Sequence, residues 1–492
     1  MIAVRGSAVA DVVAGSARLV AAARPWRPST WALARRDGLS FGALAALAAS
    51  RSPGATAVVD DDGELSCAGL HRLGDDVASA VPPGTERVGV LARNGRWIAG
   101  AVVGASRSGA DVVLVNADLA AREVAALLES ERVGLLLVDG DDLPLPATGV
   151  PVVDVRHLLR TSAPPPPRRR RGRLVVLTSG STGTPKGAHL ATTRVVQAVP
   201  ITTLVHRVPW SSASCVVVTC PLFHGFGLGF LAIGLAFGLP VVVTRRSGSE
   251  AIAALVARAP GSVLVGVPPV LARMARAAEG SDVRPVSVVS GAGLLHPRVS
   301  ERLVEAFGPV LVNMYGSSEE GWSCLATPAD LVAAPGTIGR PAAGVTVEVL
   351  DDDGAPVPDG VTGHLCIGSR LEFAHYTGGS RRRRLGGLAD SGDLGHRDAA
   401  GLLFVDGRAD DMVVTGGENV LVPAVEDVLL ACPAVAEARV DAVADEEFGV
   451  RLEAVVVPAD PSHLDGPGRE RLLREEAESE LARAIAELTL AF

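Results

Sequence analysis

Short apolar runs alternate with alanine-rich stretches across residues 51–406 of this chain. The alanine-rich stretches are typical of helices, and strands that alternate with helices favour mostly parallel, doubly wound sheets. The expected fold class is therefore α/β. The runs that predict strands are Arg87–Leu91, Asp111–Val115, Gly134–Val138, Ser262–Val265 and Val286–Ser290.

The length of the chain predicts more than one domain. A chain of 492 residues is too long for one compact core, and its 48% of hydrophobic residues can build large buried sheets. The runs Val345–Leu350 and His364–Gly368 predict a smaller β-rich subdomain. The predicted organisation is a lead segment (1–50), a large domain (51–406), a hinge (407–410) and a small α+β lobe (411–492).

Charge and cysteine usage exclude some classes of function. A net charge of -9 argues against an electrostatic nucleic-acid binder. The six cysteines are scattered without a C-x-x-C pair, which favours a reducing cytoplasm over disulfides or zinc. Residues 225–243 carry no charge, but their five glycines and Pro240 predict a helix, a break and a buried strand. We therefore expect no integral membrane span.

A loop rich in glycine and hydroxyl residues follows the apolar run Arg173–Leu177. Glycines permit a tight backbone that turns N–H groups toward an anion, hydroxyls add donors, and Lys186 supplies charge. The loop predicts phosphate binding, although its spacing differs from that of a Walker loop. A flexible turn capped by its own hydroxyls is the alternative. The predicted phosphate ligands are Thr178, Ser179, Gly180, Ser181, Thr182, Gly183, Thr184 and Lys186.

Lys186 is the single lysine among 46 basic residues. Coding bias toward arginine is the plain explanation for this composition. A position that keeps lysine under such a bias indicates a need for a compact, rotatable ammonium group. Its place in the phosphate-like loop agrees with that interpretation.

Further motifs follow in order along the chain. With the loop, they resemble the acyl-adenylate-forming (AMP-binding) superfamily, and within it bacterial fatty-acyl-CoA ligases. The resemblance extends from the Asp60–Ala80 region to Val457. Its motifs are Pro221–His224, Ser290–Gly293, Tyr315–Glu319, Asp390–Gly395, Gly407–Met412 and Gly416–Asn419.

The resemblance implies a nucleotide site. Glu319 would hold Mg²⁺, Asp393 would accept the ribose hydroxyls of ATP, and Arg408 would reach the ribose and the α-phosphate. Outside such a site, Glu319 would be a surface carboxylate beside Glu320 and Asp393 a turn aspartate. The remaining residues implied to contact the nucleotide are Gly291, Ala292, Gly293, Tyr315, Gly316, Ser317 and Ser318.

The resemblance also assigns residues to the acid and to CoA. His224 would border the reacting carboxylate, although a lone histidine beside apolar residues is as well explained by core packing. Asp410 would be the hinge about which the C-terminal lobe rotates. Gly416 and Gly417 would flank the pantetheine of CoA, and a simple turn is their alternative. Lys186, Thr178, Glu319 and His224 are the predicted catalytic residues.

The implied activity is a Mg²⁺- and ATP-dependent, AMP-forming activation of an acid, followed by thioester formation with CoA. A fatty acid or a related acid is the expected substrate. Two alternatives stay open. A diazotase-type homologue would adenylate nitrite for attack by an aryl amine near Glu320. A catalytically impaired nucleotide-binding protein is the other, because no lysine follows Lys186 and the lobe is expected to be shortened.

Overall fold

The structure is a computed structural model. It describes residues 6–23, 40–140, 143, 145, 147–158, 172–178, 186–190, 199–246, 248–317, 321–369, 383–409, 412–415, 418–432, 435–445 and 449–458.

Helices and strands alternate along the first two thirds of the described chain, and strands dominate afterwards. The helices are α1 (Gly6–Ala23), α2 (Phe41–Arg51), α3 (Cys67–Ala80), α4 (Arg96–Ser108), α5 (Ala121–Ser130), α6 (Val199–Arg207), α7 (Gly225–Phe237), α8 (Ser249–Val256), α9 (Pro268–Ala277), α10 (Pro297–Phe307), α11 (Pro328–Ala333) and α12 (Val422–Ala431). The strands are β1 (Thr56–Asp60), β2 (Gly63–Ser66), β3 (Arg87–Leu91), β4 (Asp111–Val115), β5 (Leu135–Val138), β6 (Val152–Asp154), β7 (Leu174–Thr178), β8 (Lys186–Leu190), β9 (Val216–Val218), β10 (Val241–Val242), β11 (Val263–Gly266), β12 (Ser287–Gly291), β13 (Leu311–Ser317), β14 (Gly321–Ala326), β15 (Arg340–Pro341), β16 (Thr346–Leu350), β17 (Gly363–Gly368), β18 (Arg384–Leu385), β19 (Leu388–Arg397), β20 (Leu403–Arg408), β21 (Met412–Thr415), β22 (Glu418–Leu421), β23 (Val435–Asp445) and β24 (Gly449–Pro458).

Two large sheets form the body of the molecule. One has six strands in the order β6-β5-β3-β4-β7-β8, and the other nine in the order β15-β14-β13-β12-β11-β9-β10-β1-β2. In the first sheet all neighbours are parallel except β7 and β8. In the second, the central strands from β13 to β1 are parallel and the edges are antiparallel. Parallel strands need crossover helices, which cover both faces and bury the valines and leucines.

The second sheet has a separate core on each face. Val216 and Val218 pack into the cluster that also contains the strands of the first sheet. Val217 points to the opposite face, where the helices α8, α9 and α10 contribute Leu255, Met274 and other side chains. Successive residues of a strand point to opposite faces, so the Val216–Val218 run serves both cores. This arrangement confirms the predicted doubly wound α/β class.

A smaller β-rich unit follows the second sheet. Its order is β16-β17-β19-β18, and β20 also pairs with β19. All of these pairs are antiparallel. The runs predicted at Val345–Leu350 and His364–Gly368 correspond to β16 and β17. In the C-terminal part, α12 follows the hairpin β21–β22 and precedes the hairpin β23–β24 along the chain.

The predicted helix, break and strand at residues 225–243 are present as α7 and β10. Gly238 ends α7 with a left-handed backbone at φ 73°, a conformation that costs glycine little. Among the described residues, no helix combines the length and the apolar composition needed to cross a membrane.

The lead segment holds a helix that docks on α6. Arg207 Nε donates to Asp11 Oδ1 at 2.8 Å, and Arg18 Nη1 donates to the carbonyls of Val205 and His206. A Cβ on Gly15 would lie 2.2 Å from the carbonyl oxygen of Thr202, so only glycine permits this close helix approach.

Candidate nucleotide and acid site

The predicted phosphate loop is the tip of a hairpin. Thr178 ends β7 and Lys186 begins β8, and the two are direct antiparallel partners. Backbone pairing therefore brings these two predicted ligands to the mouth of one loop. Their side chains lie outside what the structure describes, as do the loop residues Ser179, Gly180, Ser181, Thr182, Gly183 and Thr184.

A strained turn follows β12. Gly291 is the last residue of that strand and pairs with Met314 on β13. Ala292 has a φ of 56°, a left-handed conformation that a residue with a Cβ rarely adopts. Gly293 comes next, where an added Cβ would lie 3.3 Å from Pro268. Strained backbone of this kind clusters at ligand sites, which agrees with the nucleotide contact predicted for Gly291, Ala292 and Gly293.

Tyr315 and Asp393 meet across two sheets. The Tyr315 hydroxyl donates to Asp393 Oδ2 at 2.6 Å, although the residues are 78 positions apart. Burial, followed by the charge of Asp393, raises the pKa of Tyr315 well above its usual value. The hydroxyl therefore keeps its proton at neutral pH and can donate a hydrogen bond. This contact joins two motifs that the sequence alone could only place in order.

Arg408 stands on the other side of Asp393. The two residues are register partners on β20 and β19, and Arg408 Nη1 lies 3.5 Å from Asp393 Oδ1. Over half of the Arg408 side chain is exposed, so its donors can reach a ligand. We call Tyr315, Asp393 and Arg408 the nucleotide half of the site.

A tight turn sets the direction of Asp393. Gly392 has a φ of 80°, its amide donates to Asp390 Oδ1 at 2.9 Å, and the Asp393 amide donates to Ser391 Oγ at 3.1 Å. A Cβ on Gly392 would lie 3.1 Å from Arg408 Nη2. Glycine therefore permits both the turn and the approach of the guanidinium group. Sequence reasoning did not identify Ser391 as a residue that positions Asp393.

The β13–β14 hairpin places the rest of the Tyr315 motif. A Cβ on Gly316 would lie 2.0 Å from the Gly321 carbonyl oxygen, so a side chain has no room there. Ser317 ends β13 opposite Gly321. Ser318 and Glu319 lie outside the described residues. Among the residues that the structure describes, no cluster of three or more His, Cys, Asp or Glu could hold a metal ion.

His224 stands at the start of α7, and its ring centroid is 4.6 Å from that of Phe223. The residue is exposed, so it is not the packed core side chain of the alternative prediction. Nearby protein still lowers the pKa of His224 by desolvation, and the charge of Asp118 opposes that shift. The imidazole is therefore neutral at pH 7 and can accept or donate a hydrogen bond.

Phe226, two residues after His224 in the chain, packs against the strand end that leads into the strained turn. A Cβ on Gly291 would lie 2.7 Å from Phe226 Cε2, so the aromatic ring packs directly on the glycine backbone. On the same helix, a Cβ on Gly229 would lie 3.4 Å from Trp322 Cζ2. We call His224, Phe226 and Trp322 the acid half of the site. Sequence reasoning assigned no role to Phe226 or Trp322, because neither residue belongs to one of the motifs.

Three other predicted residues lie outside the described part of the chain. They are the hinge Asp410 and the glycines Gly416 and Gly417. Their predicted roles stay predictions.

Two family models match the chain. The AMP-binding enzyme model covers residues 46–377, more than half of the 492 residues, and the C-terminal domain model of the same family covers residues 424–490. The chain belongs to the AMP-binding enzyme family. This membership confirms the predicted superfamily, and both halves of the site contain residues within the first match.

Curated relatives of this AMP-binding enzyme include two acid:CoA ligases. The chain is 32% identical to sulfoacetate–CoA ligase of Cupriavidus necator over 310 residues, which are 61% of this chain and 60% of that protein. It is 31% identical to indoleacetate–CoA ligase of Aromatoleum aromaticum over 299 residues, 59% and 58% of the two chains. The chain thus spans less than two thirds of the length of these relatives. Their shared reaction type is the one predicted from the motifs, and their acids differ.

A solved structure supports the fold of this AMP-binding enzyme. The o-succinylbenzoate CoA synthetase of Bacillus subtilis in complex with AMP matches with a TM-score of 0.74 at 23% identity, covering 89% of this chain and 91% of that chain. The similarity confirms the predicted architecture of a large sheet-containing domain followed by a small lobe.

Proposed function

We propose that this chain is an AMP-forming acid:CoA ligase. The observation that carries the proposal is the arrangement of Asp393 between Tyr315 and Arg408 at the edge of the β-rich unit. A carboxylate held between a neutral donor and a permanent cation can accept two ribose hydroxyls while the guanidinium group faces a phosphate.

The first half-reaction forms the adenylate. A carboxylate oxygen of the acid attacks the α-phosphorus of ATP. The bond between the α-phosphorus and the oxygen that bridges to the β-phosphate breaks, and pyrophosphate leaves. Arg408, Lys186 and the loop from Thr178 to Thr184 neutralise charge on the transferred and leaving phosphates. Glu319 would supply one hard oxygen ligand for Mg²⁺, and the ion would help to neutralise charge on the phosphates.

The second half-reaction forms the thioester. The CoA thiol loses its proton and attacks the acyl carbon, and the bond to AMP breaks. His224 borders the carboxylate, where a neutral imidazole adds no charge that would compete with Arg408. Rotation of the lobe 411–492 about Asp410 converts the pose for adenylation into the pose for thioester formation. In the second pose, Gly416 and Gly417 lie beside the pantetheine. These assignments, the boundaries at residues 50, 406 and 410, and a cytoplasmic location belong to the proposal.

Product analysis tests the proposal. The purified chain is incubated with ATP, Mg²⁺ and an acid, with and without CoA, and the products are separated by chromatography. We expect pyrophosphate and AMP to depend on the acid, and an acyl-CoA to form when CoA is present. ADP as the nucleotide product would contradict an adenylating enzyme. A parallel reaction with nitrite and an aryl amine distinguishes diazotase activity from acid:CoA ligation.

A further inference from the structure

A row of aromatic rings runs along α7 from its first turn to its last. Phe226 contacts Phe230 edge to face at a centroid distance of 5.3 Å. Trp210 lies 6.2 Å from Phe230 and stacks with Phe237 at 5.6 Å. Three of the chain's ten phenylalanines lie on α7 and one of its five tryptophans packs against them, so this concentration of rings is a specific feature.

The inner members of the row are completely enclosed. Phe230 is 0% exposed and Trp210 is 2% exposed, and both belong to the large core cluster. Protein interiors are packed as densely as organic crystals. Among the residues that the structure describes, a channel that continued from Phe226 along α7 would have to displace these buried rings.

Phe226 and Trp322 are the half-buried members of this region. Phe226 rests on Gly291, one residue before the strained Ala292, and Trp322 rests on Gly229. Trp322 is also the register partner of Gly316, next to Tyr315. Both rings therefore lie close to the nucleotide half, where the acid must present its carboxylate to the α-phosphorus.

We propose that Phe226 and Trp322 form the end wall of the acid pocket and restrict it to compact acids, with one ring or a short chain. This inference rests on the proposed function, since it concerns the acid of that same site. Flat apolar bodies fit such a wall because aromatic rings favour edge-to-face and offset contacts. A long alkyl chain would have to push one of the two rings off its glycine.

Acid selectivity is the measurement that tests the wall. Initial rates of pyrophosphate release are compared for benzoate, phenylacetate, butanoate and decanoate, and each kcat/KM is divided by that of decanoate. These ratios do not depend on the fraction of active enzyme. We expect the compact acids to exceed decanoate by at least ~10-fold in the unaltered chain.

Truncation of the wall should change that selectivity. The variants Phe226→Ala and Trp322→Ala, singly and together, should raise the decanoate-to-benzoate ratio, and the pair by at least ~10-fold. The matched control is Phe404→Ala, which removes a ring that stacks on His396 at 4.9 Å in the β-rich unit. Its selectivity should equal that of the unaltered chain.

The outcomes separate this inference from the proposed function. Equal use of decanoate and benzoate, or ratios that do not move in the double variant, would overturn the wall while acid activation stands. If no acid releases pyrophosphate, the proposed function fails. The end wall is then tested independently of activity by benzoate binding. Binding is measured through quenching of tryptophan fluorescence, with Trp322→Phe as the control. Quenching that is lost in Trp322→Phe supports it, and no quenching in the unaltered chain rejects it.

Discussion

The nucleotide half and the acid half of the site differ in how their residues are held. Asp393 and Arg408 are fixed by strand register and by a hydrogen-bonded turn, and Tyr315 reaches them from another sheet. Phe226 and Trp322 are fixed by contact with glycine backbones. Polar chemistry thus depends on a few atoms at set distances, whereas the apolar wall depends on volume. Single substitutions should therefore separate ATP use from acid use.

The largest effect is expected from Asp393→Ala. The variant removes the proposed acceptor for the ribose hydroxyls, and hydrogen bonds to a charged group contribute ~1.5–3 kcal/mol each. We expect kcat/KM for ATP to fall by about 100-fold, since each 1.4 kcal/mol is tenfold. The measurement is pyrophosphate release against ATP concentration at saturating acid.

Asp359→Ala is the control for that loss, since Asp359 is an exposed carboxylate near the same β-rich sheet. It should leave kcat/KM for ATP unchanged. An Asp393→Ala variant that uses ATP as well as this control would remove Asp393 from the nucleotide site.

Gly291→Ala should affect the acid half more than the nucleotide half. The new Cβ would lie 2.7 Å from the Phe226 ring, so the ring must shift. We expect kcat/KM for benzoate to fall by about 10-fold, the scale of one methylene in a tight pocket. Adding Phe226→Ala should restore most of it. Failure of that rescue would show that the loss comes from the backbone of the turn and not from the ring.

Tyr315→Phe should have a smaller effect, confined to ATP. The change removes one hydroxyl donor to Asp393 and leaves Arg408 in place. One hydrogen bond contributes about 1 kcal/mol, so KM for ATP should rise less than 10-fold. The ratio of benzoate to decanoate use should not change. A loss as large as that of Asp393→Ala would mean that Tyr315 binds the nucleotide by another contact.

The smallest effect is a change of pKa at His224. Desolvation by nearby protein lowers the pKa of His224 and the charge of Asp118 raises it, so Asp118→Asn should lower it further. The measurement is an NMR titration of ¹³C-labelled histidines, with the His224 signal assigned by its loss in His224→Asn. An unchanged or higher pKa of His224 would refute the influence of Asp118.

Central strands of the first sheet were predictable from the sequence, and the contact between Tyr315 and Asp393 was not. Arg87–Leu91 and Asp111–Val115 are strands at the predicted bounds because apolar β-branched runs fit a sheet buried on both faces. The Tyr315–Asp393 contact spans two sheets, and local sequence contains no information on how those sheets approach.

The acid half shows the same limit more strongly. His224 was predicted because it belongs to a motif that resembles one of the family's motifs. Phe226 and Trp322 carry no such pattern, because any bulky apolar residue could serve in a core. Their role appears only when Gly291 and Gly229 are seen beneath the rings.

Transfer of oxygen from the acid to AMP tests the central claim most directly. Benzoate labelled with ¹⁸O in both carboxylate oxygens is incubated with ATP, Mg²⁺, CoA and the purified chain, and AMP is analysed by mass spectrometry. If the carboxylate attacks the α-phosphorus, each AMP formed should carry one ¹⁸O, and the thioester should keep the other. AMP without ¹⁸O would mean that water or another nucleophile opened the phosphate bond, which would contradict an acyl-adenylate intermediate.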